Sequence, residues 1–192
     1  DLIPTAGDPS TQWRPSLAGL VFARTGINSM STPNVRTTSN YDNLQDVSSG
    51  FFSACPTAAR KLAVMTKSQI TTYVNSLAAN GNTYHDIGML WGLRLISPTG
   101  LFAAENTALP DVSRHVIFMT DGNTQTDIRN YEAYGLSGID RRRTDPSRLP
   151  TNAEQDGIVE SRLTALCETA RRRNITVWVI AFGTSLTPLL QN

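Results

Sequence analysis

The chain has 192 residues, a formal net charge of +1, 40% hydrophobic and 17% charged residues. That length suits one full-sized domain and is short for two. So balanced a charge points neither to nucleic acid nor to a strongly acidic partner, and no apolar run approaches the length of a membrane span. The first residues lack a basic-then-apolar signal pattern, and a chain running from Asp1 to Gln191-Asn192 without a closing helix reads as a processed or excised piece.

Residues 1–58 are rich in Ser, Thr, Asn, Pro and Gly and read as a loop-rich lead-in or insertion, packed on a core of residues 59–192. Within this lead-in Leu17–Ala23 is expected as an edge strand, with Trp13 and Phe22 as anchors, and residues 25–50 as a surface excursion. Lys61–Met65 is expected as a short strand. Thr66 and Gln69 have capping-box spacing ahead of a helix that carries Ile70, Val74 and Leu77, with Asn80-Gly81 as its C-cap. A second helix runs to about Ile96. Its apolar residues (Ile87, Met89, Leu90, Trp91, Leu93, Leu95, Ile96) circle most of its circumference and predict deep burial, and Ser97-Pro98-Thr99-Gly100 ends it.

Val116–Met119 is an unbroken apolar run, expected as a strand buried on both faces of a parallel sheet. It stops at Thr120-Asp121-Gly122, which puts a carboxylate where open α/β sheets bind ligands. Residues 122–150 read as a long loop with at most short helical pieces, in which Arg141-Arg142-Arg143 forms a solvated face. Asn152 and Gln155 offer a second capping pair, opening a helix from about 153 to 173 with Val159, Leu163, Leu166 and Ala170 in one stripe. Arg171, Arg172 and Arg173 suit the negative end of its dipole. Ile175–Phe182 is the last strand, stopped by Gly183. This alternation predicts an α/β fold with a parallel sheet covered by helices.

Three polar elements should meet at one end of that sheet: the loop holding Thr83, the Thr120-Asp121-Gly122 turn and the Gly183-Thr184-Ser185 turn. Hydroxyl and carboxylate oxygens are the hard donors that Mg²⁺ accepts. Each residue also has an ordinary role, Thr83 as an N-cap and Asp121 as a turn residue. His85 reads as a polar helix-start residue, since it and Asp86 point in different directions, and His115 as an outward-facing strand residue. Cys55 and Cys167 have no metal-ligand spacing and could pair or remain thiols. Enzymatic signals are weak. Asp121-Gly122-Asn123-Thr124 is similar to the nucleophile loop of haloacid-dehalogenase-type phosphatases, but that loop places its nucleophilic Asp where this chain has Met119. Neither Gly-x-Ser-x-Gly nor Gly-x-x-x-x-Gly-Lys occurs.

Gly81-Asn82-Thr83 followed by the Gly88-Met89-Leu90 helix, and then Val116–Gly122, resembles the von Willebrand factor A domain. Thr83–Gly88, Leu95–Phe102 and Thr176–Gly183 resemble the A-type domain of TadG-like proteins of the bacterial tight-adherence (Flp) pilus assembly system; the likeness covers roughly residues 51–192. The resemblance implies a doubly wound, mostly parallel sheet with helices on both faces, incomplete at both ends of this chain. It also implies a non-enzymatic protein-binding domain at the periplasmic or cell-surface side, anchored in the inner membrane by segments outside this chain. A disulfide is permitted there. It makes Thr83 and Asp121 ligands of a metal-ion-dependent adhesion site for Mg²⁺, or Ca²⁺ or Mn²⁺, with Asp86, Thr120, Asn123 and Ser185 around the ion or toward a protein partner. The family's Asp-x-Ser-x-Ser element is missing, Asp8-Pro9-Ser10-Thr11 being the nearest string. With two of five ligands present, the chain alone is not expected to hold the ion.

Overall fold

The computed structural model describes residues 5–8, 24–25, 34–35, 57–78, 82–106, 112–128, 131–133, 135–136 and 143–183. In chain order these contain the antiparallel strands β1 (Arg24–Thr25) and β2 (Asn34–Val35), then the helices α1 (Lys67–Asn75), α2 (His85–Ile96) and α3 (Ala103–Asn106). Strand β3 (Arg114–Thr120), the hairpin β4 (Tyr131–Glu132) with β5 (Gly135–Leu136), helix α4 (Asn152–Arg172) and strand β6 (Ile175–Ala181) follow. The expected strand Leu17–Ala23, its anchors Trp13 and Phe22, the Asn80-Gly81 cap, Cys55, Arg141, Arg142, Thr184 and Ser185 lie outside the described residues.

Strands β3 and β6 pair in parallel from Arg114↔Ile175 to Thr120↔Ala181, as the alternating element order requires. The backbone N–H of Phe182 adds a bond to the Thr120 carbonyl at 2.8 Å. Asn174, in the left-handed region at φ 55°, turns the chain out of α4 and into β6. Met89 and Leu93 of α2, Leu163 and Ala170 of α4 and Ile175 form the core, with Val116, Phe118, Val177 and Val179 packed onto it. Helix α2 packs on β3 at Gly92: a Cβ there would stand 3.6 Å from the Val116 side chain, an ordinary contact that leaves little room for a longer side chain.

Burial on both faces, expected for 116–119, is not what the structure shows. Side chains of a strand alternate between faces, and α2 and α4 both pack on the face that holds Val116, Phe118, Val177 and Val179. Ile117, Met119, Trp178, Ile180 and Phe182 point the other way and stay 43–69% exposed. Among the described residues, therefore, the fold is an α/β pairing of helices with a two-stranded parallel sheet covered on one face.

Other expectations also shift. Lys61–Met65 forms no strand; Leu62 and Val64 are exposed, and Lys61 instead pairs with Glu105 and lies over the Phe102 ring. Without a neighbouring strand among the described residues, its apolar run has no ladder to join. Helix α1 has the expected Thr66–Gln69 capping box but buries no residue, so Ile70, Val74 and Leu77 form an exposed stripe. Its described end is capped at Ser76. Helix α2 buries only His85, Asp86, Met89 and Leu93, fewer than its composition suggested, because one helix and one strand are its main neighbours. The α4 capping box lies one residue earlier than expected, on Thr151 and Glu154. Among its described residues the 122–150 loop contains the short antiparallel pair β4–β5. Cys167 carries a free, half-buried thiol at the core, and burial pushes its pKa up. No helix among the described residues is long and apolar enough to cross a membrane.

The close approach at Gly92 can be tested by urea unfolding. Gly92→Ala adds an ordinary van der Waals contact and should be neutral or stabilising by up to about 1 kcal/mol through helix propensity. Gly92→Leu should drive into Val116 and cost about 1–3 kcal/mol. Equal midpoints for the two variants would contradict this packing.

Candidate functional site

The inward-facing row of β3 runs Val116, Phe118, Thr120, so the last of the three brings a hydroxyl into the end of the core; Thr120 is buried. The α2 stripe that meets this row runs His85, Met89, Leu93 at four-residue spacing, which aims the His85 ring at Thr120. His85 Nε2 lies 2.9 Å from Thr120 Oγ1, and His85 Nδ1 lies 3.0 Å from Thr124 Oγ1. The ring also meets Phe118 edge-on, with centroids 5.5 Å apart.

The neighbouring bonds assign the tautomer. The Thr120 hydroxyl donates to the Gly122 carbonyl at 3.0 Å and accepts from the Gly122 N–H at 3.3 Å. Its one proton being used, it accepts from His85, so Nε2 carries the ring proton and the Thr124 hydroxyl donates to Nδ1. The neutral ring thereby has both nitrogens satisfied. Burial lowers the His85 pKa below the ordinary imidazole value, against the carboxylates of Asp86 and then Asp121, which raise it.

Thr83 is not the N-cap of α2, a position held by Tyr84 with no side-chain cap. Its backbone pairs with Gln125 instead: Thr83 N–H donates to the Gln125 carbonyl at 2.9 Å and Gln125 N–H to the Thr83 carbonyl at 3.1 Å. The loop entering α2 and the turn leaving β3 are thus joined twice, once by backbone and once through His85. Helix α4 holds the far side of the turn. Asp156 Oδ1 accepts from Thr126 N–H at 2.8 Å and Asn152 Oδ1 from Ile128 N–H at 3.1 Å. Gln155, expected as a cap, is buried and donates to the Tyr84 hydroxyl at 3.2 Å.

The candidate residues therefore separate. Thr83, Thr120, Asp121 and Asn123 belong to the two joined loops. Asp121 and Asn123 are exposed, and no hydrogen bond or ion pair engages the Asp121 carboxylate among the described residues. Asp86 is fully buried and accepts from Arg162 Nε at 2.9 Å and from Ile87 N–H at 2.9 Å. Its carboxylate ties α2 to α4. Ser185 lies outside the described residues. His115 faces outward as expected and accepts from Trp178 Nε1–H at 3.1 Å across the strand pair.

Among the described residues no group of three or more His, Cys, Asp or Glu side chains is placed to hold a metal. Among the described residues the donors at this end include the Asp121 carboxylate, threonine hydroxyls and the Asn123 amide oxygen. Their chemistry suits Mg²⁺ or Mn²⁺, while their number leaves most of an octahedral shell to water or to groups from elsewhere. His85 and Thr124 were not singled out by motif reasoning. The signal for His85 was its place four residues before Met89, on the core-facing stripe.

Two outcomes check this geometry. Above about pH 6.5 His85 is neutral in both folded and unfolded chains, so its contribution is fully present. As pH falls below that value the unfolded chain takes up a proton that the folded one resists, and stability is lost toward the lower folded pKa. Urea midpoints at pH 7.5 and 5.0 should differ more in the wild type than in His85→Gln; equal differences would contradict the buried neutral ring. For the interhelical tie, Arg162→Met leaves the Asp86 carboxylate buried without its cation. Because Arg162 is 41% exposed, water offsets part of the loss, and a cost of about 1–3 kcal/mol is expected in thermal unfolding rather than the ~3–5 kcal/mol of a sealed pair. No measurable change would show that the pair does not hold α2 to α4.

No family model, no curated protein and no solved structure matches this chain.

Proposed function

We propose that this chain is a non-enzymatic protein-interaction domain of the von Willebrand factor A type, with a doubly wound sheet. It belongs to the envelope-facing part of a tight-adherence (Flp) pilus assembly protein anchored in the inner membrane by segments outside this chain. Its binding end is the one that carries Thr83 and Asp121. The observation that supports this most is the joining of the two motif loops: Thr83 pairs with Gln125, and His85 reaches both Thr120 and Thr124. An exposed carboxylate at Asp121 then stands beside a threonine loop at the end of a parallel strand pair. In this role Asp121 and Thr83 would hold a divalent cation, Mg²⁺ or else Ca²⁺ or Mn²⁺. The ion when bound supplies a Lewis-acidic position for a carboxylate of the protein partner. The chain's own residues orient: Gln125 fixes the Thr83 backbone, and Thr120, through its bonds to Gly122, fixes the turn at Asp121.

A structural envelope module with a vestigial metal site is the alternative. It is favoured by the small donor set, since the described residues contain no cluster of three metal-ligating side chains. Asp121→Ala in the full-length protein separates the two. The metal-dependent role predicts at least about a tenfold loss of partner binding, matched by chelating divalent cations from the wild type. Unchanged binding in both experiments would leave only the structural role.

A further inference from the structure

We propose that His85 is the positioning residue that fixes the Asp121 turn against the Thr83 loop, by holding Thr120 and Thr124, the threonines that bracket that turn, with the two nitrogens of one ring. The geometry is of this chain's own making; its consequence for a cation rests on the role proposed above for Thr83 and Asp121. Thr120 and Thr124 flank Asp121-Gly122-Asn123, and both hydroxyls end on His85 within 3.0 Å. The ring itself has little freedom: it is 5% exposed, lies edge-on to Phe118 and belongs to the first turn of α2. Beneath it, the Asp86–Arg162 pair ties that turn to α4. Thr120 is held independently by the Phe182 N–H on its carbonyl. The Asp121-Gly122-Asn123 span is thus staked at both sides by an imidazole, two residues beyond the Thr83 backbone that pairs with Gln125.

A group that touches a ligand-bearing turn without ligating typically changes metal affinity by about 10–100-fold when removed. A purely space-filling histidine would instead alter global stability and move all slowly exchanging amides together. Two readouts separate these roles. The first is amide hydrogen exchange of the metal-free chain. Gly122 N–H is bonded to Thr120 Oγ1 and Gln125 N–H to the Thr83 carbonyl, so both report on the turn. His85→Leu removes both ring bonds, whereas Thr124→Val removes one and keeps the side-chain shape. Each should speed exchange at Gly122 and Gln125 relative to amides in the middle of α4. His85→Gln, whose amide reaches the Nε2 position, should restore much of the protection. The second readout is binding of Mn²⁺ alone to the full-length protein, followed by loss of the free-ion electron paramagnetic resonance signal. His85→Leu and Thr124→Val should weaken it by about 10–100-fold, with partial recovery in His85→Gln.

Unchanged relative exchange at Gly122 and Gln125 in folded Thr124→Val would overturn the positioning role, and that variant decides the matter if His85→Leu does not fold. Wild-type affinity for Mn²⁺ in both variants would overturn the link to the cation while leaving the metal role of Asp121 intact. Failure of the wild type to bind Mn²⁺ would instead sink the metal role, and the exchange pattern would still decide the role of His85.

Discussion

The end of the strand pair that carries Asp121 depends on a neutral imidazole whose two nitrogens both bond to threonine hydroxyls. Out of water such bonds strengthen, and an orphaned partner costs more. The ring needs Thr120 and Thr124 as much as they need the ring. Its neutrality follows from burial, which outweighs two nearby carboxylates. Its orientation follows from Thr120, whose only proton is committed to the Gly122 carbonyl. A small number of donors and acceptors therefore leaves one arrangement in which every polar atom of the network is paired.

Packing below the network keeps it in place. Strands β3 and β6 pair along seven residues, and α2 and α4 cover one face of that pair. The same side-chain alternation that buries Val116 and Phe118 brings Thr120 inward and turns Ile117 and Met119 outward. Helix α4 serves twice: Arg162 neutralises the Asp86 carboxylate at the start of α2, and Asn152 with Asp156 holds the backbone after Gln125. Positioning of the Thr83 loop and of the Asp121 turn thus derives from one helix pair.

Much of this was legible in the sequence, and the failures share a cause. The strand ending at Thr120-Asp121, its parallel partner near 175–182, the stop at Ser97-Pro98 and the Thr66–Gln69 cap are each encoded within a few residues, and each is present. Lys61–Met65 was misread because a β-like composition makes a strand only where another backbone offers it a ladder. Burial of 116–119 on both faces was inferred from composition, whereas burial is set by which faces the helices cover. Thr151 rather than Asn152 caps α4, and both Thr-x-x-Glu and Asn-x-x-Gln are present there, so local spacing alone could not choose. His85 was read only as a polar helix-start residue. Its spacing to Met89 and Leu93 argued otherwise, and a polar Thr120 on the inward row of β3 needed a partner.

The most direct test of the account is long-range ¹H–¹⁵N correlation spectroscopy of the His85 ring in the folded protein near neutral pH. The account predicts one tautomer, with a slowly exchanging proton on Nε2 and a bare, hydrogen-bonded Nδ1. A proton on Nδ1, or two tautomers averaging with rapid solvent exchange, would contradict it.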